Sequence, residues 1–107
     1  MKTLNINSGK NSSATNTQTT NYTAVLTDDD RFITTNSASA VNVTIPPNSS
    51  VPFAINAELK IRQLGAGASA FVAGAGVTVQ KSANVPAMAQ YGILHATQVS
   101  PNVWAIW

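Results

Sequence analysis

The chain has 107 residues, no Cys, one His and ten other charged side chains, six Lys or Arg against four Asp or Glu. Ser, Thr, Asn and Gln fill 38 positions and Ala 16 more. This length holds one domain, and the lack of Cys excludes a disulfide framework, a thiolate metal site and a Cys nucleophile.

A net charge of +2 leaves no basic patch able to neutralise a row of phosphates, so nucleic acid is not an expected partner. No apolar run approaches the ~18 residues of a membrane span, so no membrane association is expected either. The start, Met1-Lys2-Thr3-Leu4-Asn5, carries no apolar leader segment.

The first 21 residues are almost wholly polar, with Leu4 and Ile6 as their large apolar side chains after Met1. Such a stretch buries too little surface to offset an ordering cost of roughly 1–2 kcal/mol per residue, and it reads as a flexible or extended arm. Leu4 and Ile6 alternate with Thr3, Asn5 and Asn7. That alternation places both on one face of a short strand suited to pairing with a partner. From Tyr22 to Trp107 the pattern becomes a β domain.

Tyr22–Thr27 reads as a first strand, Asp28-Asp29-Asp30 as a solvated turn with Arg31 as counter-charge, and Arg31–Thr35 as extended. Val41, Val43 and Ile45 alternate with Asn42 and Thr44, the clearest half-buried strand in the chain. Pro46-Pro47 stops it, and Pro52 makes the segment around Phe53 and Ile55 an edge or a bend. Leu59, Ile61 and Gln63 alternate with Glu58, Lys60 and Arg62, giving a strand with one wet face. Gly65–Ala68 and Gly74–Gly76 are turns leading to strands at 69–73 and 77–79. A single helical turn is expected at Val85–Tyr91. Tyr91–Val99 and Val103–Trp107 close the chain as strands around the turn Ser100-Pro101-Asn102. Short strands at this spacing indicate an all-β fold, a small sandwich or barrel-like domain of short antiparallel strands.

The chemical inventory is sparse. His95 stands between Leu94 and Ala96 in a strand, and the acids are Asp28, Asp29, Asp30 and Glu58. Three consecutive acids in extended structure do not converge on one site, so no metal site, cofactor or catalytic residue is expected. The two Gly-rich turns lack phosphate-loop spacing. Trp104 and Trp107 lie three apart and so face opposite sides of a strand, one toward the core and the other outward.

The segment order carries a resemblance. Arg31–Asn36, then Ser37-Ala38-Ser39-Ala40-Val41-Asn42-Val43-Thr44-Ile45-Pro46-Pro47, the turn Gln63–Gly67, Gly74–Val79 and the final Asn102–Trp107 resemble a small β domain of tailed-bacteriophage virion proteins. That domain is found in tail fibres, minor tail proteins and head-decorating proteins, and the resemblance covers residues 22–107. It implies a structural or attachment protein, commonly a homotrimer, without cofactor or catalysis.

With a polar arm at 1–21, the expectation is a capsid decoration (cement) protein or short head fibre located on the virion, at the capsid surface rather than the tail. The arm, through Leu4 and Ile6, is expected to engage the major capsid protein or another virion neighbour. Phe71, Val103 and Trp107 are the candidate subunit interface. The alternative is a tail-fibre or tail-tip module that binds a host receptor or glycan.

Overall fold

The computed structural model describes residues 15–107. Along them the period-two patterns become nine strands. In chain order they are β1 Asn16–Gln18, β2 Tyr22–Thr23, β3 Phe32–Thr35, β4 Val41–Ile45 and β5 Glu58–Gln63. They continue with β6 Ser69–Ala73, β7 Thr78–Lys81, β8 Ile93–Ser100 and β9 Val103–Ile106, and one 3-10 turn covers Leu26–Asp28. Strand is the dominant element and helix is nearly absent. The protein is all-β.

The strand directions differ from the antiparallel expectation. Among the described residues five of the seven strand pairs are parallel, and β5–β8 and β8–β9 are antiparallel. The chain alternates between two sheets, with β1, β3 and β5 side by side in one and β2, β4 and β6 in the other. Its first part is therefore wound as a coil, and each of β1 to β4 pairs with the strand one full turn later. Alternation along a strand reports which face is buried but not which partner lies beside it, and short strands separated by turn residues satisfy a meander and a coil equally well.

The second and third coils repeat at one spacing. Ile33 pairs with Ile61 and Val43 with Phe71, both 28 positions on. The corner between the sheets stacks in the same register. Ser37-Ala38-Ser39-Ala40 lies over Gly65-Ala66-Gly67-Ala68, and the Gly67 N–H donates to the Ser37 carbonyl at 2.8 Å. A Cβ on Gly65 would strike the Ser37 backbone and one on Gly67 the Ser39 backbone. These glycines are thus required by close approach of two chain segments, which goes beyond the turn role expected of them.

After the third coil the winding changes. The hairpin β8–β9 inserts between β5 and β7, giving a six-stranded sheet ordered β1-β3-β5-β8-β9-β7 beside a three-stranded sheet ordered β2-β4-β6. Side chains from both sheets form one core. Ile33, Leu59, Ile61, Leu94, Trp104 and Ile106 come from the larger sheet, and Val43, Ile45 and Phe71 from the smaller. Each large apolar side chain so buried contributes about 1.5–3 kcal/mol. Phe53, on the loop that Pro52 bends, packs edge-on against Trp104 with ring centroids 5.3 Å apart.

Two buried glutamines hold the turns. The Gln63 side chain accepts from Ser69 N–H at 3.0 Å and donates to Gly65 O at 3.2 Å. Gln98 donates to Phe53 O at 2.9 Å and accepts from Asn102 N–H at 3.0 Å. Each amide satisfies backbone groups that the corners leave unpaired.

Three local expectations change. Residues 16–18, placed in the arm from sequence, are part of the sheet: Asn16, Thr17 and Gln18 pair in parallel with Ile33, Thr34 and Thr35. Polar bonds hold them, with Thr15 Oγ1 donating to Phe32 O at 2.9 Å and Asn16 Nδ2 to Asp28 Oδ1 at 3.0 Å. The strand expected at Tyr22–Thr27 ends at Thr23, because Val25 N–H donates to the Asp28 carboxylate at 2.9 Å and turns the chain into the 3-10 segment. Val85–Tyr91 forms no helical turn. A lone turn fixes several dihedrals for one hydrogen bond, and Val85 and Met88 instead pack against the core.

Candidate functional site

The outer face of the six-stranded sheet is built by alternation. On β8, Leu94, Ala96 and Gln98 turn inward, which sends Ile93, His95 and Thr97 outward. On β9, Trp104 and Ile106 are buried, so Val103, Ala105 and Trp107 share the outer side. Register sets β5's wet residues beside β8: Glu58 opposite Thr97, Lys60 opposite His95 and Arg62 opposite Ile93.

Trp107 is the centre of this face. The residue is 56% exposed, and its indole stacks on the His95 imidazole with centroids 4.1 Å apart and planes 13° from parallel. Its Nε1 donates to Thr97 Oγ1 at 2.9 Å. His95 Nδ1 lies 2.7 Å from Glu58 Oε2. Backbone bonds in both directions between Trp107 and His95, each 2.8 Å, fix the pair to the sheet. Ile93 on the same face, Val99 in the β8 bulge and Tyr91 just before β8 are also exposed. Tyr91 holds a left-handed φ of 69°, an uncommon conformation for a bulky residue, and its N–H donates to Gln63 O.

Of the expected interface residues, Val103 and Trp107 lie on this one face, Val103 at the start of β9 and Trp107 directly after its end. Phe71 does not join them. It belongs to the other sheet, faces inward, and is 8% exposed. Leu4 and Ile6 lie outside the described residues. Trp104 and Trp107 do face opposite sides, core and solvent.

The acidic turn is built differently from its expectation. Asp28 is fully buried and accepts from Tyr22 Oη at 2.7 Å, Val25 N–H at 2.9 Å, Asn16 Nδ2 at 3.0 Å and Arg31 Nη2 at 3.0 Å. A carboxylate so placed is tolerated because it is paired and fully hydrogen-bonded. Burial, reinforced by the hydrogen bond to Asp28 and its charge, pushes the Tyr22 phenol up to about 12. Lys60 stands 3.4 Å from Asp30 and 4.7 Å above the Phe32 ring. These groups tie β1, β2, β3 and β5 together at one end of the coil.

His95 therefore finds Glu58 as its carboxylate, while Asp28 is committed elsewhere. Among the described residues, no three His, Asp or Glu side chains gather as a metal site, and no helix is long and apolar enough to cross a membrane.

Behind the face, an apolar groove of ≈ 360 Å³ opens beside β6, lined by Phe71, Val79, Met88, Leu94 and Ile106 among others. It lies where the larger sheet continues past the smaller one.

The chain matches no known family model, no curated protein and no solved structure. Sequence reasoning missed Glu58, Ile93 and Tyr91 as neighbours of the Trp107 face. Their signal was the outward alternation of β5 and β8, which becomes usable only once the β5–β8 pairing is fixed.

Proposed function

We propose that the protein is a structural attachment protein of a tailed-phage particle, a capsid decoration protein or short head fibre that works as a homotrimer. The observation that carries this reading is the exposed apolar and aromatic pair Ile93 and Trp107 on the outer face of the sheet, with half-buried Val103 on the same side. Large apolar side chains held out on a sheet face favour association with a partner or with copies of the chain. Val103 and Trp107 then supply the subunit contact, while Phe71 serves the core. The two sheets around one core form a small coil-wound sandwich.

The mechanism is binding without chemistry. A protein that binds only the assembled shell stabilises it by mass action, and three linked attachment points convert weak single contacts into avid binding. The arm, with Leu4 and Ile6 as apolar anchors, supplies those contacts to the capsid or a neighbour.

A second reading, a tail-fibre or tail-tip module for a host receptor or glycan, draws on the exposed Trp107 indole beside the Glu58–His95 pair. Exposed aromatics next to acids are suited to stacking on sugars and bonding their hydroxyls.

An electron-microscopy map of the intact particle that carries the chain tests both. Density for the coil at three-fold positions on the head is the expected result. Density at the tail tip selects the second reading, and absence from the particle overturns both.

A further inference from the structure

A pocket, two exposed rings and an uncommitted cation meet where β8 begins. Residues 84–89 lie against the start of β8 and the end of β9 and leave a pocket of ≈ 360 Å³, lined by Asn84, Pro86, Gly92, Ile93 and Trp107 among others. That volume lies within the range of small-molecule sites. The Trp107 indole forms part of its wall. His95 covers one face of the ring and Thr97 holds its Nε1, yet the residue stays 56% exposed. The ring is therefore held out from the sheet in one fixed orientation.

Tyr91, next to Gly92, is the second ring. It is 67% exposed, and its φ of 69° is one that a bulky residue keeps only where its surroundings enforce it. Two backbone bonds do so: Tyr91 N–H donates to Gln63 O, and Gln63 N–H to Gly92 O. Strain is thus maintained at a residue whose side chain faces water.

Charge on this face is unbalanced. Glu58 is engaged by His95 at 2.7 Å and Lys60 by Asp30 at 3.4 Å. Arg62 is exposed and stands opposite Ile93. Its guanidinium makes no ion pair or hydrogen bond among the described residues. Two strand spacings and one two-residue step along β8 separate it from Trp107, about 12 Å between Cα atoms. Its long side chain spans part of that distance, so one ligand can touch both.

We propose that this corner binds a carboxylated glycan. A sugar ring has an apolar C–H face and a rim of hydroxyls, which call for an exposed aromatic face and a few polar groups. Trp107 and Tyr91 supply the rings and Asn84 an amide. Arg62 supplies a planar fork of N–H donors that fits a carboxylate through two parallel bonds. A neutral sugar leaves that fork unused, and a bare phosphate leaves the rings unused. The inference rests on the second reading above, with Trp107 turned to a ligand instead of a neighbouring copy. It adds the charge of the sugar and the residue that reads it.

Titration calorimetry on the full-length protein at low ionic strength tests this with two matched pairs of probes. One pair is oligogalacturonate and its methyl ester, and the other is sialyllactose and lactose. The acid of at least one pair should bind at least tenfold more tightly than its neutral partner, the worth of one charge-assisted hydrogen-bonded contact. Arg62→Gln should bring that acid down to the affinity of the neutral sugar. Trp107→Ala should abolish binding of both, with the circular dichroism of each variant matching the parent. Equal affinity for acid and neutral sugar, or a preference that survives Arg62→Gln, overturns the inference and leaves the glycan reading standing. Binding of none of the four probes overturns both. If oligoglutamate binds as tightly as the acidic sugar, the face reads carboxylates alone and the sugar assignment is overturned.

Discussion

Gly67 lies against Ser39 of the preceding coil so closely that a methyl group on the glycine would strike the serine carbonyl. The contact is backbone on backbone, so no side-chain rotation relieves it. Gly67→Ala should destabilise the protein at the upper end of the about 1–3 kcal/mol typical of overpacking, and Gly67→Asn should do no better. Gly76 provides the contrast. Its φ is 75° and a Cβ there meets open space, so Gly76→Ala should cost about 1–2 kcal/mol through the left-handed backbone alone. Gly76→Asn should recover much of that loss. Urea denaturation midpoints of the four variants check both mechanisms.

Asp28 takes four hydrogen bonds in a site with no solvent access. Asp28→Ala strands the Arg31 guanidinium and three other donors, and should cost about 3–5 kcal/mol. Tyr22→Phe removes one charge-assisted hydrogen bond and should cost less, about 1.5–3 kcal/mol. Equilibrium unfolding in urea at neutral pH distinguishes the two.

The phenol of Tyr22 titrates near 12 in the folded protein against an ordinary value of 10.0. The folded state favours its neutral form. The stabilisation this provides is complete below pH 10 and is lost as pH rises toward 12, because the unfolded chain ionises first. Stability measured from pH 8 upward should fall through that window, and Tyr22→Phe should flatten this part of the fall. An equal slope in the variant would falsify the assignment.

If the Trp107 face is the subunit contact, charge there should dissolve it without disturbing the fold. Trp107→Lys combined with Ile93→Lys should shift sedimentation from trimer to monomer at micromolar concentration. Each large side chain withdrawn from a contact is worth about 1.5–3 kcal/mol, at least tenfold in affinity. The far-UV circular dichroism should remain that of the parent. A parent that is already monomeric at that concentration removes the contact from consideration.

Much of the strand map was legible because burial alternates along each strand. Val41, Val43 and Ile45 are buried with Asn42 exposed, and Leu59, Ile61 and Gln63 are buried along β5, as their patterns indicate. Pairing direction was not legible. The 28-position relation between Ile33 and Ile61 is carried by few identical residues, and Ser37–Ala40 over Gly65–Ala68 resembles two unrelated small-residue turns until they are stacked.

Two polar features were hidden for a related reason. Counting apolar residues left Asn16–Gln18 in a pliant arm, yet backbone pairing and side-chain amides hold them in the sheet. The same counting placed Asp28 in water, whereas its donors come from residues 16, 22, 25 and 31, a convergence that only the coil creates. At the candidate site, the opposite facing of Trp104 and Trp107 followed from spacing alone. The Glu58–His95 contact and the His95–Trp107 stack required the β5–β8–β9 register.

The shared 28-position offset in both sheets makes one coil a unit of height. Duplicating that stretch of gene would raise the body by one strand spacing, about 4.8 Å, and leave the inward columns in register. The polar first strand at one end and the apolar groove at the other would keep their chemistry. Stature and the chemistry of the two ends are thereby separable in this protein, and selection can adjust the first in discrete steps without rebuilding the second.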